Sequence, residues 1–381
     1  MPGSDRAEAS DQFTALTAEA ARPRTVSFSA KVFIPITRLC RNRCAYCDYS
    51  VTSTHDDPFI TPAEALEIAR AGERAGCTEA LFVAGDKPER RYPTVRAWLK
   101  RAGYDSTAHY TRDLCKLVLD ETRLYPHTNV GALGRREIAE LREVNASLGL
   151  MLESASRRLG EPGGPHYRCP DKRVSRRLEA LAAAGDACAL FTTGLLVGIG
   201  ETPGERLESL LEIRRLHDDY GHIQEVIIQN LRPRPGATFP LRTGPSLAAV
   251  LDTVTMARRI LGPSMNIQVP PNLALGLTGR LDLFLEAGAN DWGGVSPVTT
   301  DYVNPDSPWP DLDWLRRETE AAGFFLRQRF PAYPEFVRSD SRFLSDAVKR
   351  KLAKDADLEG YVRNATWSSR LKPAGELLEN R

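Results

Sequence analysis

Three closely spaced cysteines are the residues of this sequence whose types and spacing most clearly suggest chemistry. Cys40, Cys44 and Cys47 lie in the segment CRNRCAYC, in a chain with seven cysteines. Thiols this close share a metal, form a strained disulfide or reflect chance composition. The cysteine count is odd and the N-terminus lacks the apolar stretch of a secretory signal, so a reducing compartment is expected. Clustered thiols then favour a metal.

Two kinds of metal site are compatible with the triplet. A structural zinc site closes with four ligands, and His55 is a fourth candidate only at an unusual spacing. Iron–sulfur clusters also take cysteine thiolates from short loops. Three thiolates on a four-iron cube leave one iron open to a substrate or cosubstrate, which indicates a catalytic cluster. The other four cysteines, Cys77, Cys115, Cys169 and Cys188, are interpreted as structural.

The elements that must position this loop alternate between short apolar runs and helical patterns. One helix is predicted from Thr61 as N-cap, through Pro62 in the first turn, to Gly76 as its end. Eight buried strands are predicted at Lys31–Thr37, Glu79–Gly85, Leu124–Val130, Ala146–Ser154, Ala189–Gly200, Glu225–Asn230, Asn266–Pro270 and Asn290–Pro297. Apolar strands that alternate with helices form parallel sheets. Eight such units predict an α/β fold of the (β/α)8 TIM-barrel type.

The chain is expected to divide into three parts. Residues 1–28 are polar and charged and are predicted to form a flexible tail. Residues 29–310 hold the eight strand–helix units of the barrel. Residues 311–381 are predicted to form a helical extension that packs on the barrel exterior.

Composition and net charge limit the kinds of partner and the cellular compartment that can be expected for this chain. The chain has 381 residues, of which 42% are hydrophobic, so it can bury a sizeable core. Its 51 basic and 50 acidic residues leave a net charge of +1, which predicts no partnership with nucleic acid. Apolar runs long enough to span a membrane are missing from the sequence. A cytoplasmic protein is expected.

Polar residues and glycines follow the predicted strands at the ends where barrel enzymes carry their chemistry. The cysteine triplet follows the first strand. The remaining strand ends carry Gly85-Asp86, His127 to Asn129, Glu153-Ser154, Gly198 to Glu201, Gln229-Asn230, Pro271-Asn272 and Asp291 to Gly294. We therefore expect an active site at this end of the barrel.

The segment CRNRCAYC resembles the CxxxCxxC motif of the radical S-adenosylmethionine (SAM) enzymes, with Tyr46 as the aromatic residue before the last cysteine. The resemblance implies a 4Fe–4S cluster with three cysteine ligands and SAM on the open iron. It also implies reductive cleavage of SAM to methionine and a 5′-deoxyadenosyl radical, which takes a hydrogen atom from the substrate. The protein would position these groups and exclude competing reactions.

Further segments resemble the ring-closing subunit family of the enzymes that make 7,8-didemethyl-8-hydroxy-5-deazariboflavin (FO). They are TRLCRNRCAYC, ALFVAGDKPE, YPHTNVG, NASLGLMLES, TTGLLVGIGET, YGHIQEVIIQN and NDWGGVSPVTTDYVNP, and they run from about residue 31 to 310. The resemblance implies a lyase of deazaflavin coenzyme biosynthesis. Its substrate would be 5-amino-5-(4-hydroxybenzyl)-6-(D-ribitylimino)-5,6-dihydrouracil, made from tyrosine and 5-amino-6-(D-ribitylamino)uracil by a sister transferase. Hydrogen abstraction, ring closure and loss of ammonia would give FO.

The same resemblance implies two partners besides the substrate. One is a flavodoxin- or ferredoxin-type reductant. The other is the sister transferase, with a transient complex as one way for it to deliver its product.

Residues for SAM are assigned from this resemblance and from local chemistry. Tyr46 would pack against the cofactor, and Gly85 and Asp86 stand where relatives carry Gly-Glu against its amino group. Glu153 and Ser154 end a strand beside it, and Arg177, with Arg176 as the alternative, would pair with its carboxylate. Gly198 and Gly200 would let the backbone approach its adenine closely.

Residues for the substrate are chosen from the remaining polar strand ends. His127 and Asn129 are expected to bind the uracil or ribityl group or to handle a proton, and His166 to face the pocket. Candidates to grip the uracil carbonyls or ribityl hydroxyls are Gln229, Asn230 and Arg232. Asp291 and Trp292 are expected to supply a base and a stacking face, Asn272 is a weaker candidate, and His222 is interpreted as structural. The sequence does not identify the acid or base that expels ammonia.

Two alternatives remain open from the sequence. Within the superfamily, the alternative is a barrel of the biotin-synthase or thiazole-synthase kind, although the second cysteine group often found in those enzymes is not visible. From a different class, a non-catalytic metal-binding scaffold would keep the triplet for stability alone.

Overall fold

A closed barrel of eight parallel strands forms the centre of the molecule, for which a computed structural model describes residues 25–52, 57–233 and 243–365. The barrel strands are β1 Thr25–Thr37, β2 Glu79–Ala84, β3 Tyr125–Asn129, β4 Ser147–Gly149, β5 Phe191–Val197, β6 Ile223–Asn230, β7 Asn266–Gln268 and β8 Asp291–Val295. Closure occurs because β1 pairs with β2 along one part of its length and with β8 along another. The predicted (β/α)8 barrel is confirmed.

Helices follow the strands around the barrel. They are α1 Pro62–Arg74, α2 Pro93–Arg101, α3 Thr107–Glu121, α4 Arg135–Arg142, α5 Val174–Asp186, α6 Pro203–Tyr220, α7 Leu247–Leu261, α8 Pro271–Ala274, α9 Asp282–Glu286, α10 Leu312–Ala321, α11 Pro334–Arg338 and α12 Asp346–Asp355. Within the described ranges, no helix combines the length and apolar character that a membrane span requires.

Side chains along β1 alternate between the helix layer outside the barrel and the inside of the barrel. Val32 is fully buried and packs against α1, where a Cβ added to Gly72 would lie 2.6 Å from the Val32 Cβ. Only glycine therefore allows the helix to approach the strand this closely. The neighbouring residue Lys31 instead lines the inside of the barrel, as the two-residue period of a strand requires.

The predicted start of α1 is confirmed by its hydrogen bonds. Thr61 caps α1 by accepting a hydrogen bond from the Glu64 backbone N–H, while the Glu64 carboxylate accepts one from the Thr61 backbone N–H at 2.8 Å. Thr202 and Glu205 form the same reciprocal arrangement at the start of α6. Each capping box satisfies two backbone donors that a helix N-terminus otherwise leaves unpaired.

A ninth strand and the residues after it close the end of the barrel at which the strands begin, called here the barrel floor. Strand β9, Phe325–Gln328, pairs in parallel with residues 25–28 at the start of β1. Arg329 follows it into the barrel, where its guanidinium bonds the Asp291 carboxylate at 2.7 and 2.9 Å and the Glu225 carboxylate at 3.1 Å. Two buried carboxylates beneath the barrel require such a cation.

Two expectations about the chain ends change as a result. The C-terminal part carries helices, as predicted, but also contains β9, so it is not helical throughout. Strand β1 begins at Thr25, inside the predicted tail 1–28, because β9 supplies its first residues with a hydrogen-bonding partner. Residues 1–24 of the predicted tail, His55, and residues 366–381 of the predicted extension lie outside the described residues, and the three-part division stays a prediction.

Candidate active site

The cysteine loop is held against the end of β2 by backbone contacts. The Arg41 N–H donates to the Asp86 carbonyl at 2.9 Å, and the Asp86 N–H donates to the Cys40 sulfur at 3.2 Å. A Cβ on Gly85 would lie only 2.0 Å from the Leu39 carbonyl oxygen. Glycine at position 85 is therefore required for the loop to sit on the strand.

The three thiols open onto one cavity of ≈ 250 Å³ at this end of the barrel, called here the cysteine cavity. Cys40, Cys44 and Cys47 all line it, and each is a free, partly exposed thiol. Burial raises the pKa of Cys40 to about 12 and raises the pKa of Cys47 as well. A neighbouring cation or metal is therefore needed to stabilise the thiolate forms.

A fourth cysteine contacts the triplet. The Cys44 and Cys169 thiols share a hydrogen bond, which raises the pKa of Cys44 and lowers that of Cys169. The interpretation of Cys169 as structural stays a prediction: the residue is buried, and its thiol interacts with Cys44 of the triplet. Nothing in the spacing of the sequence signals this contact, because Cys169 belongs to the loop between β4 and α5.

A single-ion site is not formed by these side chains. Across residues 25–52, 57–233 and 243–365, no three His, Cys, Asp or Glu side chains converge closely enough to hold one metal ion. A multi-iron cluster binds each thiolate at a different iron and does not need such convergence.

Asp86 is a buried junction of the site. Its carboxylate accepts hydrogen bonds from the Asn42 side-chain amide at 3.4 Å and from the Ala132 N–H at 3.3 Å, and the Arg177 guanidinium lies 3.8 Å away. Burial raises the pKa of Asp86, while Arg177 lowers it. Both Gly85 and Asp86 line the cysteine cavity, and their assignment to SAM stays a prediction.

The structure distinguishes between the two arginine candidates on α5. Arg177 is buried, lines the cysteine cavity and donates to the Met151 carbonyl at 3.2 Å. Arg176 is directed away, donating to the Ala132 carbonyl and pairing with Glu179. Arg177 is therefore the arginine available to a cofactor carboxylate.

Glu153 lines the cavity in an unusual backbone conformation. Its φ of 66° is uncommon for a residue with a side chain, and its N–H donates to the Gly194 carbonyl at 3.0 Å. The carboxylate forms a partly buried ion pair with Lys172, a cavity residue that the sequence did not predict. Ser154 does not line the cavity, because its hydroxyl accepts from the Ser156 N–H at 3.1 Å.

Tyr46 and His166 act as a pair. Tyr46 lines the cavity, and its hydroxyl lies 2.9 Å from the His166 Nε2. Burial lowers the pKa of His166 to about 3, so the imidazole is neutral. His166 itself is not among the residues lining the cavity. The expectation that it faces the pocket is therefore corrected: its ring is turned onto Tyr46.

Gly198 and Gly200 do not reach the cysteine cavity. Both have left-handed φ values, 100° and 101°. The Gly198 N–H donates to the Glu201 carboxylate at 2.9 Å, and the Gly200 carbonyl accepts from Arg158 at 2.8 Å. In this structure they form a turn before α6, which explains the glycines without a cofactor.

Four of the predicted substrate residues line the cysteine cavity: Asn129, Gln229, Asn230 and Arg232. The Asn230 amide donates to the Leu273 carbonyl at 3.4 Å, while its Oδ1 has no hydrogen-bond partner among the described residues. Arg232 lies over Gly276, where an added Cβ would clash with the guanidinium. These groups add polar side chains to the cavity that the thiols line.

His127 lies deeper in the barrel. It lines a second cavity of ≈ 150 Å³, called here the inner chamber, and its Nδ1 lies 2.6 Å from the Ser147 hydroxyl. Burial lowers the pKa of His127 to about 4. Asn129 and Gln229 line both cavities.

Asp291 and Trp292 do not have the predicted roles. Asp291 is fully buried on the barrel floor, bound by Arg329 and by the Ser27 hydroxyl, and lines neither cavity. Trp292 points to the opposite face of β8, where its Nε1 donates to Thr319 of α10 at 3.0 Å. Alternation along the strand cannot bring both side chains into the barrel.

Asn272, the weaker candidate, and His222, interpreted as structural, both have hydrogen-bond partners within the fold. The Asn272 amide donates to Asp301 and to the Ser307 carbonyl, both at 3.0 Å, and so holds the loop after β8. The His222 Nε2 lies 2.9 Å from the Leu181 carbonyl, in agreement with its structural interpretation.

Several cavity residues were not foreseen. They are Tyr49, Ser50, Ala84, Gly131, Leu150, Met151, Lys172, Leu196, Leu231, Val303 and Asn304. Tyr49 had a usable signal, because it follows the cysteine motif closely. Its hydroxyl lies 3.1 Å from the Thr37 carbonyl and 3.0 Å from the Val83 carbonyl, so its one O–H anchors the end of the loop between β1 and β2.

Comparison with known proteins identifies the family of the chain. Residues 34–213 match the model of the Radical SAM superfamily. The chain is 49% identical over 341 residues to the 7,8-didemethyl-8-hydroxy-5-deazariboflavin synthase of Methanopyrus kandleri, covering 89% of this chain and 100% of that protein. It is 45% identical over 340 residues to the FO synthase of Nocardia farcinica, covering 88% of this chain but 39% of that longer protein.

A solved structure shares the fold. The FeFe-hydrogenase maturase HydG from Carboxydothermus hydrogenoformans matches with a TM-score of 0.62 and 18% identity, covering 80% of this chain and 68% of that one. At that identity the likeness concerns the barrel alone. The relationship at 49% identity along a whole relative is far closer. The chain therefore belongs to the 7,8-didemethyl-8-hydroxy-5-deazariboflavin synthase family of radical SAM enzymes.

Proposed function

We propose that this chain is the lyase that closes the deazaflavin ring of FO. Its substrate would be 5-amino-5-(4-hydroxybenzyl)-6-(D-ribitylimino)-5,6-dihydrouracil, converted by hydrogen abstraction, cyclisation and loss of ammonia. The observation that carries the proposal is the cysteine cavity, which is lined both by three free thiols and by polar side chains of β3 and β6. The full-length match to the Methanopyrus kandleri synthase supports the same reaction.

The residues present fit the cofactors that the Radical SAM family implies, a 4Fe–4S cluster and SAM. We infer that Cys40, Cys44 and Cys47 hold the cluster and leave one iron for SAM. The buried Arg177 Nε has no hydrogen-bond partner among the described residues, which suits a carboxylate ligand. When bound, the two groups supply a one-electron route to hydrogen-atom abstraction from the substrate.

The protein's own residues would bind and orient SAM and the substrate. Arg177 would take the SAM carboxylate, and Asp86 would hold Arg177 in place from 3.8 Å. Glu153 would accept from the SAM amino group while Lys172 balances its charge. Asn230, whose Oδ1 is unpaired, would accept a hydrogen bond from the uracil ring. Tyr46, fixed by His166, would cover the cofactor from the loop side.

Reconstitution under anaerobic conditions tests the proposal. The chain, loaded with iron and sulfide and reduced with dithionite, should convert the hydroxybenzyl adduct and SAM into a fluorescent deazaflavin seen by chromatography. Cleavage of SAM without deazaflavin would favour a barrel of the biotin-synthase or thiazole-synthase kind. A colourless zinc protein that leaves SAM intact would favour a scaffold.

The partners are part of the proposal. We infer that the adduct comes from the sister transferase, that a flavodoxin- or ferredoxin-type protein supplies electrons, and that a reducing cytoplasmic setting keeps the thiols available. Placing the transferase across a dialysis membrane tests the delivery of the adduct. FO formation on this chain's side would indicate diffusion, and formation only after mixing would indicate a complex.

A further inference from the structure

The inner chamber is a second space inside the barrel that the proposed roles above leave without a ligand. It has a volume of ≈ 150 Å³ and shares four lining residues, Asn129, Leu150, Met151 and Gln229, with the cysteine cavity. A molecule held at the cysteine cavity would therefore have this chamber next to it, on the side toward the barrel floor.

Two opposite charges on neighbouring strands face the chamber without meeting. Lys31 of β1 and Glu79 of β2 are direct partners in the strand register, and both line the chamber. Neither side chain forms an ion pair or hydrogen bond with another residue of the described ranges. The Lys31 ammonium lies 4.5 Å from the centre of the Trp309 ring. Burial lowers the pKa of Lys31, as expected of an ammonium with little solvation.

The charges on the floor of the chamber are satisfied, in contrast. Glu225 accepts from the Thr192 hydroxyl at 2.8 Å and from the Arg329 guanidinium at 3.1 Å. Arg329 also binds Asp291 through two hydrogen bonds. Lys31 and Glu79 are therefore the charged groups of the chamber whose hydrogen-bonding capacity is unmet within the described residues.

The chemistry of the wall restricts the ligand. An apolar or aromatic group would bury a lone ammonium and a lone carboxylate without hydrogen bonds, at a cost of several kcal/mol. A charged group would meet a like charge on one side. A neutral chain of hydroxyls donates to Glu79 and accepts from Lys31 at once. The volume matches about five water molecules at roughly 30 Å³ each, which suits a short polyol.

We propose that the inner chamber receives the polyhydroxyl side chain of the substrate, with its hydroxyls bridging Lys31 and Glu79. This rests on the proposed function, whose substrate carries a five-carbon ribityl chain. The reacting rings then stay in the cysteine cavity, beside Cys40, Cys44 and Cys47. Lys31 and Glu79 are binding and specificity residues in this arrangement.

The proposal is tested on the reconstituted full chain by combining a change in the enzyme with a change in the substrate. Lys31→Met and Glu79→Gln are each compared with the wild type on the ribityl substrate and on an analogue with a methyl group in place of the ribityl chain. Because a hydrogen bond to a charged group is lost, each variant should lower kcat/KM by roughly 10- to 100-fold on the ribityl substrate. On the methyl analogue each should differ from the wild type by less than about threefold.

Equal penalties on the two substrates for both variants would overturn the proposal, since the side chains would then act without contacting the polyol. Lys351→Met is the matched control: its ammonium bonds the Leu119, Thr122 and Leu124 carbonyls on the barrel exterior, so any effect should be the same on both substrates.

Iron content and SAM binding report folding of each variant. A wild type that forms no FO refutes the proposed function, whereas FO formation with equal penalties refutes the inner-chamber assignment alone.

Discussion

The guanidinium of Arg177 lies 3.8 Å from the carboxylate of Asp86, and each side chain is 5% exposed. The pair joins α5 to the end of β2 at the wall of the cysteine cavity. Asp86 also accepts from Asn42 of the cysteine loop. One buried carboxylate thus contacts both the loop that carries the thiols and an arginine that lines the same cavity.

Arg177→Met should weaken SAM binding by roughly 10- to 100-fold, because a charge-assisted hydrogen bond to the SAM carboxylate is lost. Equilibrium dialysis of the reconstituted protein measures the affinity. Arg176→Met is the matched control and should bind SAM normally, since Arg176 contacts Ala132 and Glu179 instead. Equal losses in the two variants would remove Arg177 from the site.

Glu153→Gln should reduce SAM affinity more than iron content. The change removes a carboxylate from the cavity wall and leaves Lys172 without its buried partner. Iron analysis and SAM titration on the same preparation separate the two effects. Glu161→Gln, at an exposed position of the following loop, should alter neither. An unchanged SAM affinity in Glu153→Gln would show that the carboxylate serves only Lys172.

Gly85→Ala should disrupt the seat of the cysteine loop. The new Cβ would lie 2.0 Å from the Leu39 carbonyl oxygen and 2.7 Å from the Cys40 Cβ, and overpacking of this kind costs about 1–3 kcal/mol. We expect a lower urea midpoint and loss of iron. Gly160→Ala, whose Cβ would meet no atom within 4 Å, should keep both values, and a fully loaded Gly85→Ala would contradict the role given to this contact.

Acid should destabilise the fold through buried histidines. Burial lowers the pKa of His222 to about 4, below the value of about 6.5 in the unfolded chain. Between these values the unfolded state binds more protons, so stability falls as pH drops. From pH 7 to pH 5 the loss is about 2 kcal/mol for one such residue.

His222→Asn isolates this contribution. Its unfolding free energy, measured by urea denaturation, should fall about 2 kcal/mol less than that of the wild type between pH 7 and pH 5. Other groups titrate in both proteins and cancel in the comparison. The same fall in both proteins would mean that His222 titrates normally in the fold.

The barrel was predictable because each of its strands is encoded by a short apolar run of consecutive residues. Apolar runs such as Glu79–Ala84 and Ile223–Asn230 stand between helices with recognisable caps, and the thiol motif is contiguous. Strand β9 was not predictable in this way, since Phe325–Gln328 is short and its partner, the start of β1, lies at the opposite end of the chain.

The errors in the site have one physical cause, which is that sequence position does not tell where a side chain points. Trp292 and Asp291 are adjacent, yet one faces α10 and the other the barrel floor. The contact between Cys169 and Cys44 was missed for a related reason: only the folded loop brings the two thiols together. Residues that contact through tertiary structure, such as Lys172 with Glu153, leave no local pattern.

The central claim is that Cys40, Cys44 and Cys47 are sufficient to hold a four-iron cluster with one iron left for SAM. The most direct test is iron and sulfide analysis, with SAM cleavage, of anaerobically reconstituted wild type, Cys44→Ala and Cys169→Ala. The account predicts about four irons and active cleavage in the wild type and in Cys169→Ala, and neither in Cys44→Ala. Loss of the cluster in Cys169→Ala, or its full retention in Cys44→Ala, would contradict it.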